Sequence, residues 1–327
     1  MNQKMMFRTE LTIHSSSERI NHGSKIMTIG SCFSQVIGER LSQNKFDALV
    51  NPFGTVFNPI SIFKLLENST SNNFSMLDAS VENKNTWFNY HVHSDVYGNT
   101  KEELNSKLEE KIKYVNEFLL QTDTLIITFG TAFVYKLKSN NEIVANCHKQ
   151  PAANFTKELL TVEEIVTSFE SFLNQFKTKN SKLKIILTVS PVRHTKDSLT
   201  LNSVSKSILR IACHELSKRF SNVIYFPSYE IMLDDLRDYR FYKEDMIHPT
   251  EVAEEYIWNK FSDVYFENET KQLIKEWSSV SMALNHKPFR KDSEEYKKFL
   301  AETLRKLESL NKKINVREEI EFILGRI

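Results

Sequence analysis

Four short apolar runs, each stopped by a turn-forming residue, constrain the fold of this chain more than any other feature. Residues 25–29 stop at Gly30, residues 124–129 at Gly130, residues 183–189 at Ser190-Pro191, and residues 222–226 at Pro227. Runs of this length, rich in Ile, Leu, Val and Phe and bounded by Gly or Pro, read as buried strands. The segments 32–42, 162–176 and 203–220 carry helical patterns instead. Strands without polar alternation, interleaved with helices, predict an α/β chain whose parallel sheet is covered on both faces.

The remaining stretches read differently. Residues 133–138 and 142–146 flank Ser139-Asn140-Asn141, which is turn chemistry, and predict a hairpin leaving the sheet after the second strand. A polar Asn/Ser-rich stretch with an aromatic patch at 87–97 predicts an insertion over one rim, at about residues 68–115. Beyond residue 265, Lys, Glu and Leu recur at helical spacing. The expected organisation is a main domain, residues 1–265, and a helical extension, residues 266–327.

Charge excludes some functions. The 327 residues hold 43 Lys plus Arg against 42 Asp plus Glu, with no basic stripe. That balance gives no electrostatic footprint for nucleic acid or an anionic membrane. Residues 1–8 lack the apolar run of a signal peptide, and no stretch approaches a membrane span. Cys32, Cys147 and Cys213 are too few and too far apart for a disulfide framework or a zinc site. A cytoplasmic protein without metal or organic cofactor is expected.

Ligands of an open parallel sheet bind beyond the carboxyl ends of its strands. There the sequence places Gly30-Ser31-Cys32-Phe33, Gly130-Thr131-Ala132, Ser190 with Arg193 and His194, and Asp245-Met246-Ile247-His248-Pro249. Ser31 lies between a strand and a helix, where free N–H groups can stabilise an oxyanion. His248 can take the serine proton, and Asp245, three residues earlier, can orient the ring. Pro249 restricts His248 to an extended backbone and can open the next helix. Taken singly, Gly-Ser after a strand is a helix cap and Asp-x-x-His a surface pair. Their meeting at one sheet edge is what points to catalysis.

Neighbouring residues carry competing readings. Cys32, at the helix start, could be the nucleophile instead; packing beneath the turn is the reading set against it. His91 and His93 flank Val92 and would share one face of a strand, but no carboxylate or Cys cluster completes a metal site. His93, Ser94, His148, Arg193 and His194 are candidates for polar substrate contacts. For Arg193, ion pairing with Asp235, Asp238 or Glu230 stands beside that role. Arg237 and Arg240 are expected to brace the loop that carries Asp245.

The run Ile29-Gly30-Ser31-Cys32-Phe33-Ser34 resembles the signature of the GSCFA family, a branch of the SGNH/GDSL hydrolase superfamily. The resemblance continues through Asn51-Pro52-Phe53-Gly54, Asn58-Pro59-Ile60-Ser61, Thr128-Phe129-Gly130-Thr131-Ala132 and Asn146-Cys147-His148-Lys149. It extends to Ser190-Pro191-Val192-Arg193-His194, Arg237-Asp238-Tyr239-Arg240-Phe241-Tyr242 and the Asp245–Pro249 run, covering roughly residues 8–265. It implies a flavodoxin-like three-layer α/β/α sandwich and a Ser31, Asp245, His248 triad. It also implies oxyanion donors from the Ser31 N–H, from Gly54 and from an asparagine. Here the superfamily's Gly-x-Asn-Asp is represented by Gly130-Thr131-Ala132-Phe133, and Ala132 has no side-chain donor. Asn146, or else Thr131, is expected to stand in.

These readings converge on a serine esterase that works through an acyl-Ser31 intermediate on a small polar or acetylated carbohydrate ester. The same triad would serve an O-acyltransferase that passes the acyl group to a sugar or glycan precursor. A binding module that retains the fold without catalysis is the reading of another class, favoured by the missing asparagine. The helical tail offers a surface through which two copies could associate.

Overall fold

The computed structural model describes residues 9–16, 18–286, 289 and 293–326. The segment read above as lacking a signal peptide, residues 1–8, lies outside them.

The chain opens with β1 (Lys25–Gly30), α1 (Cys32–Gln43), β2 (Asp47–Val50) and α2 (Pro59–Ser71). A hairpin of β3 (Ser80–Asn83) and β4 (Thr86–Asn89) leads to α3 (Lys101–Leu120) and β5 (Thr124–Phe129). Strands β6 (Phe133–Leu137), β7 (Ile143–Val144) and β8 (Phe155–Leu159) form a small antiparallel sheet. Then come α4 (Val162–Phe176), β9 (Lys184–Val189), α5 (Leu199–Arg219), β10 (Val223–Tyr225) and the short α6 (Ser228–Glu230). The chain closes with α7 (Glu251–Tyr265), α8 (Asn268–Leu284), α9 (Glu294–Leu310) and α10 (Arg317–Leu324).

The main sheet is wholly parallel, in the order β10-β9-β5-β1-β2. Counted along the chain this is the 2-1-3-4-5 order of a flavodoxin-like doubly wound fold. Side chains alternate across it with the strand period of two. Met27, Ile29, Leu125, Ile127, Leu187 and Val189 face one layer, with α2 to α5, while Ile26, Ile126 and Ile186 face the other, with α1 and α7. The expected three-layer sandwich is therefore what the chain forms.

Four strands escaped the sequence reading: β3 and β4, within the stretch read only as an insertion, and β2 and β8. β2 is an edge strand of four residues, none of them buried, so it never forms an apolar run. β8 carries Thr, Lys and Glu and pairs antiparallel with β6, making the predicted hairpin a three-stranded sheet. The stretch read as an insertion is also shorter than expected. Leu104, Leu108, Ile112 and Val115 place α3 in the main core, so only the β3–β4 hairpin and its loops overhang the rim.

The C-terminal helices have their own core around Leu273, Trp277, Leu300, Leu307 and Ile323. They attach to the sandwich where the Trp277 indole N–H donates to the Gln43 carbonyl (2.7 Å) and Lys45 meets Glu319 (2.5 Å). Among the described residues no helix is long and apolar enough to cross a membrane.

One ion cluster ties the small sheet to the sandwich. Glu142 meets Lys64 of α2, and its Oε1 lies 3.2 Å from Nε2 of the buried His91. The imidazole of His91, and after it the ammonium of Lys64, hold the Glu142 carboxyl down at about 2, against the opposing effect of burial. The folded value lies below the ordinary 4.5, so this carboxylate's contribution is complete above that pH. It is lost as the pH falls from there toward about 2. Urea midpoints measured across this window are expected to fall less in Glu142→Gln than in the unaltered protein; parallel curves would remove the assignment.

Candidate active site

The strand ends converge as the register requires. Gly30 pairs with Thr128, and Phe129 with Val189, so Gly130 and Ser190 end side by side, two residues beyond the level of Gly30. This is also the topological switch point, where the chain crosses from β1 outward on either side and where ligands of such folds bind.

Two residues shape the first turn. Gly30 adopts φ +141°, and an added Cβ would lie 2.2 Å from the Thr128 carbonyl oxygen. Asn51, itself at φ +38°, accepts from the Gly30 N–H through Oδ1 (3.0 Å) while its own N–H donates to Thr28 (2.9 Å). The conformation places Ser31 as the N-cap of α1, but its side chain makes no cap hydrogen bond. Ser31 is 1% exposed, its Oγ has no partner, and its N–H donates to the Thr128 carbonyl (3.0 Å). Cys32, the first helical residue, is only half-buried.

The Asp245–His248 pair is built as its spacing suggested. Asp245 Oδ2 accepts from His248 Nδ1 at 2.7 Å, and Oδ1 accepts from the N–H groups of Ile247 (2.8 Å) and His248 (3.0 Å). Those bonds, led by the His248 N–H, hold the Asp245 carboxyl well below the usual range. With Nδ1–H committed to a carboxylate, the neutral ring keeps its lone pair on Nε2, the form a general base needs. Thr250 caps α7 by accepting from the Ala253 N–H, which fixes the chain just beyond His248. No hydrogen bond joins His248 to Ser31.

Arg193 makes none of the three ion pairs weighed for it. Glu230 is occupied by Arg210, Asp238 by Arg240, and Asp235 by Tyr256 and the Leu11 N–H. The Arg193 guanidinium instead lies 4.0 Å from the centre of the Tyr242 ring, and the backbone N–H of Arg193 donates to the Ile247 carbonyl (3.2 Å). It braces the loop carrying Asp245 and His248. Arg237 and Arg240, expected to do this, pair with Asp234 and Asp238 on the surface.

The expected oxyanion donors are all engaged. Besides the Ser31 N–H, the Gly54 N–H donates to Asn51 (2.8 Å). Asn146 Nδ2 donates to Ser94 Oγ (3.2 Å), and the Thr131 hydroxyl pairs with Ser205 (3.1 Å). Ala132 is fully buried, facing the core rather than the crevice.

The rim residues fall into two groups. His148 bonds Ser94 Oγ (3.3 Å) through Nδ1 and the Asn89 carbonyl (2.7 Å) through Nε2. His93 packs over Gly54, and its Nδ1 lies 3.0 Å from Asp95. His91 and His93 therefore serve different carboxylates, from a turn rather than one face of a strand. His194 is on the other side, edge-on to Phe57, with Nε2 buried and unpartnered. Burial, together with the charges of Lys206 and His248, pushes its ring down to about 3, so it is neutral.

Lys206 was missed. It is 1% exposed, and its ammonium donates to the carbonyls of Gly130 (2.8 Å) and Ser190 (2.7 Å), tying two strand ends together. Its signal was a lysine in the buried stripe of α5, in line with Asn202, Leu209, Cys213 and Leu216.

No curated protein matches the chain. Among solved structures, a carbohydrate esterase of family 3 from Talaromyces cellulolyticus is similar at 11% identity and a TM-score of 0.35, covering 77% of this chain and 99% of that one. An acetyl xylan esterase from the rumen bacterium Butyrivibrio proteoclasticus is similar at 12% identity and a TM-score of 0.33, covering 78% of this chain and 64% of that one. The model of the GSCFA family matches residues 25–261, that of the GSCFA domain protein C-terminal domain matches residues 277–327, and the chain belongs to the GSCFA family.

Proposed function

We propose that this protein cleaves or transfers an acyl ester through a covalent acyl-enzyme at the β1–α1 turn, with His248 as base and Asp245 as its orienting carboxylate. The observation that carries the reading is the Asp245–His248 bond, which fixes the ring's tautomer, and the helix that opens after Ser31 supplies the nucleophile in this reading. Acyl transfer needs that combination: a proton acceptor, a nucleophile beside it, and positive helix-terminal potential for the developing oxyanion. The polar rim of His93, Ser94, Asn146, His148, Arg193 and His194 suits a small hydrophilic ester, an acetylated carbohydrate above all.

A second reading, a binding module without catalysis, is favoured by one observation: every expected oxyanion donor already has a partner. Turnover separates the two. The full-length protein is expected to release p-nitrophenol from p-nitrophenyl acetate and acetate from acetylated sugars. Release that requires a sugar acceptor would make it a transferase. Binding of acetylated sugars with no release under either condition would sink the catalytic reading.

A further inference from the structure

The β1–α1 turn holds two nucleophilic side chains in succession, and the fold treats them differently. The Ser31 hydroxyl is sealed, with neither solvent nor a partner, and its N–H is spent on Thr128. Cys32 is half-buried and opens a helix of 12 residues, so its side chain lies at the positive end of that helix. No hydrogen bond ties His248 to either, so the base does not choose between them; exposure and charge do.

The charge comes from Lys206. Its ammonium is wholly enclosed and bonded only to backbone carbonyls, and among the described residues no carboxylate pairs with it. A buried cation without a counter-anion is costly, and burial lowers this amine to about 7. Besides the two carbonyls and the Tyr229 ring, 5.8 Å from the ammonium, the negative charge of a Cys32 thiolate favours its charged form. The thiol feels the reverse: burial pushes it up, and Lys206 pulls it down. At rest it is a thiol that needs a base; once deprotonated, it is the anion the enclosed ammonium lacks.

We infer that Cys32 Sγ, not Ser31 Oγ, forms the bond to the acyl group, with Lys206 as its buried counter-charge. This rests on the acyl-transfer reading above. In the step, the thiol proton passes to His248 Nε2 as sulfur attacks the ester carbonyl. The C–O bond then breaks, and His248 returns that proton to the departing alcohol. Water, or an acceptor hydroxyl, next attacks the thioester; the C–S bond breaks, and its proton returns through His248 to sulfur. Ser31 is left as a structural residue of the turn.

The test uses full-length protein incubated with p-nitrophenyl acetate, quenched in acid and mapped by peptide fragmentation. An acetyl adduct labile to neutral hydroxylamine is expected, retained in Ser31→Ala and absent from Cys32→Ala, whose turnover falls by about 100-fold or more. A hydroxylamine-resistant adduct that persists in Cys32→Ala and vanishes in Ser31→Ala would overturn the inference and leave the acyl-transfer reading standing. No adduct and no turnover in the unaltered protein would overturn both. The part given to Lys206 is read from the pH profile of Cys32 alkylation by iodoacetamide. Removing the charge is expected to move the midpoint upward in Lys206→Met and in Lys206→Gln, the latter keeping donors for the two carbonyls. An unchanged midpoint in whichever variant folds would overturn that part.

Discussion

Alanine at position 30 is expected to yield little or no folded protein. The residue sits at φ +141°, a backbone conformation that side-chain-bearing residues rarely adopt. Space is the greater obstacle. The new Cβ would lie 2.2 Å from the oxygen, 2.9 Å from the carbon and 2.9 Å from the nitrogen of Thr128, all backbone atoms of the central strand β5. They can move only if β1 and β5 separate, which would break the Ser31–Thr128 hydrogen bond and the ladder beside it. Strain and lost pairing at the middle of the sheet should cost upwards of about 4 kcal/mol, a large part of a typical domain's stability. Gly130→Ala is the matched control. Its Cβ would approach the Phe57 side chain and carbonyl at 3.1 Å, and its φ is not positive, so a small shift suffices. Soluble yield and urea midpoints should separate the two variants clearly. A Gly30→Ala protein as stable as the parent would mean that the turn is built otherwise.

That contrast also marks what a sequence can disclose. The strands β1, β5 and β9 were legible because each is buried or nearly so, and burial on both faces writes an apolar run; β10 was legible because its residues Val223, Ile224 and Tyr225 are apolar as well. Strands with exposed polar residues leave no such trace: β2 has an exposed Asp47 and three half-buried neighbours, and the exposed Lys157 and Glu158 of β8 read as loop. The Asp245–His248 pair was legible because both residues share one loop, so three residues of spacing nearly determine the contact. Ser31 and Cys32 lie beyond that kind of reasoning. They are adjacent, both nucleophilic and both at the helix start, and which one faces the crevice depends on the turn that Gly30 and Asn51 impose. Lys206 was hidden for another reason. A lysine in a helix is ordinarily read as solvated, and only the packing of α5 against the strand ends shows the stem and ammonium enclosed.

Removal of the His248 imidazole is expected to abolish acyl-ester turnover while the fold persists. The side chain is 42% exposed, so its loss leaves no core cavity and should change the urea midpoint little. The rate should fall by roughly 10⁴-fold or more, because base and acid in both half-reactions are lost together. Asp245→Asn tests the same pair more finely. The amide oxygen can still accept from the Ile247 and His248 N–H groups, which keeps the loop closed. The atom facing Nδ1, however, becomes a donor where Oδ2 had accepted. The ring must then carry its proton on Nε2 and can no longer take one from a thiol or hydroxyl, a loss of roughly 10²- to 10⁴-fold. Since Asp245 acts through His248, the double variant should be no slower than His248→Ala alone. Losses that multiplied would show the two residues working independently, and the base would have to be sought among the other groups of the crevice.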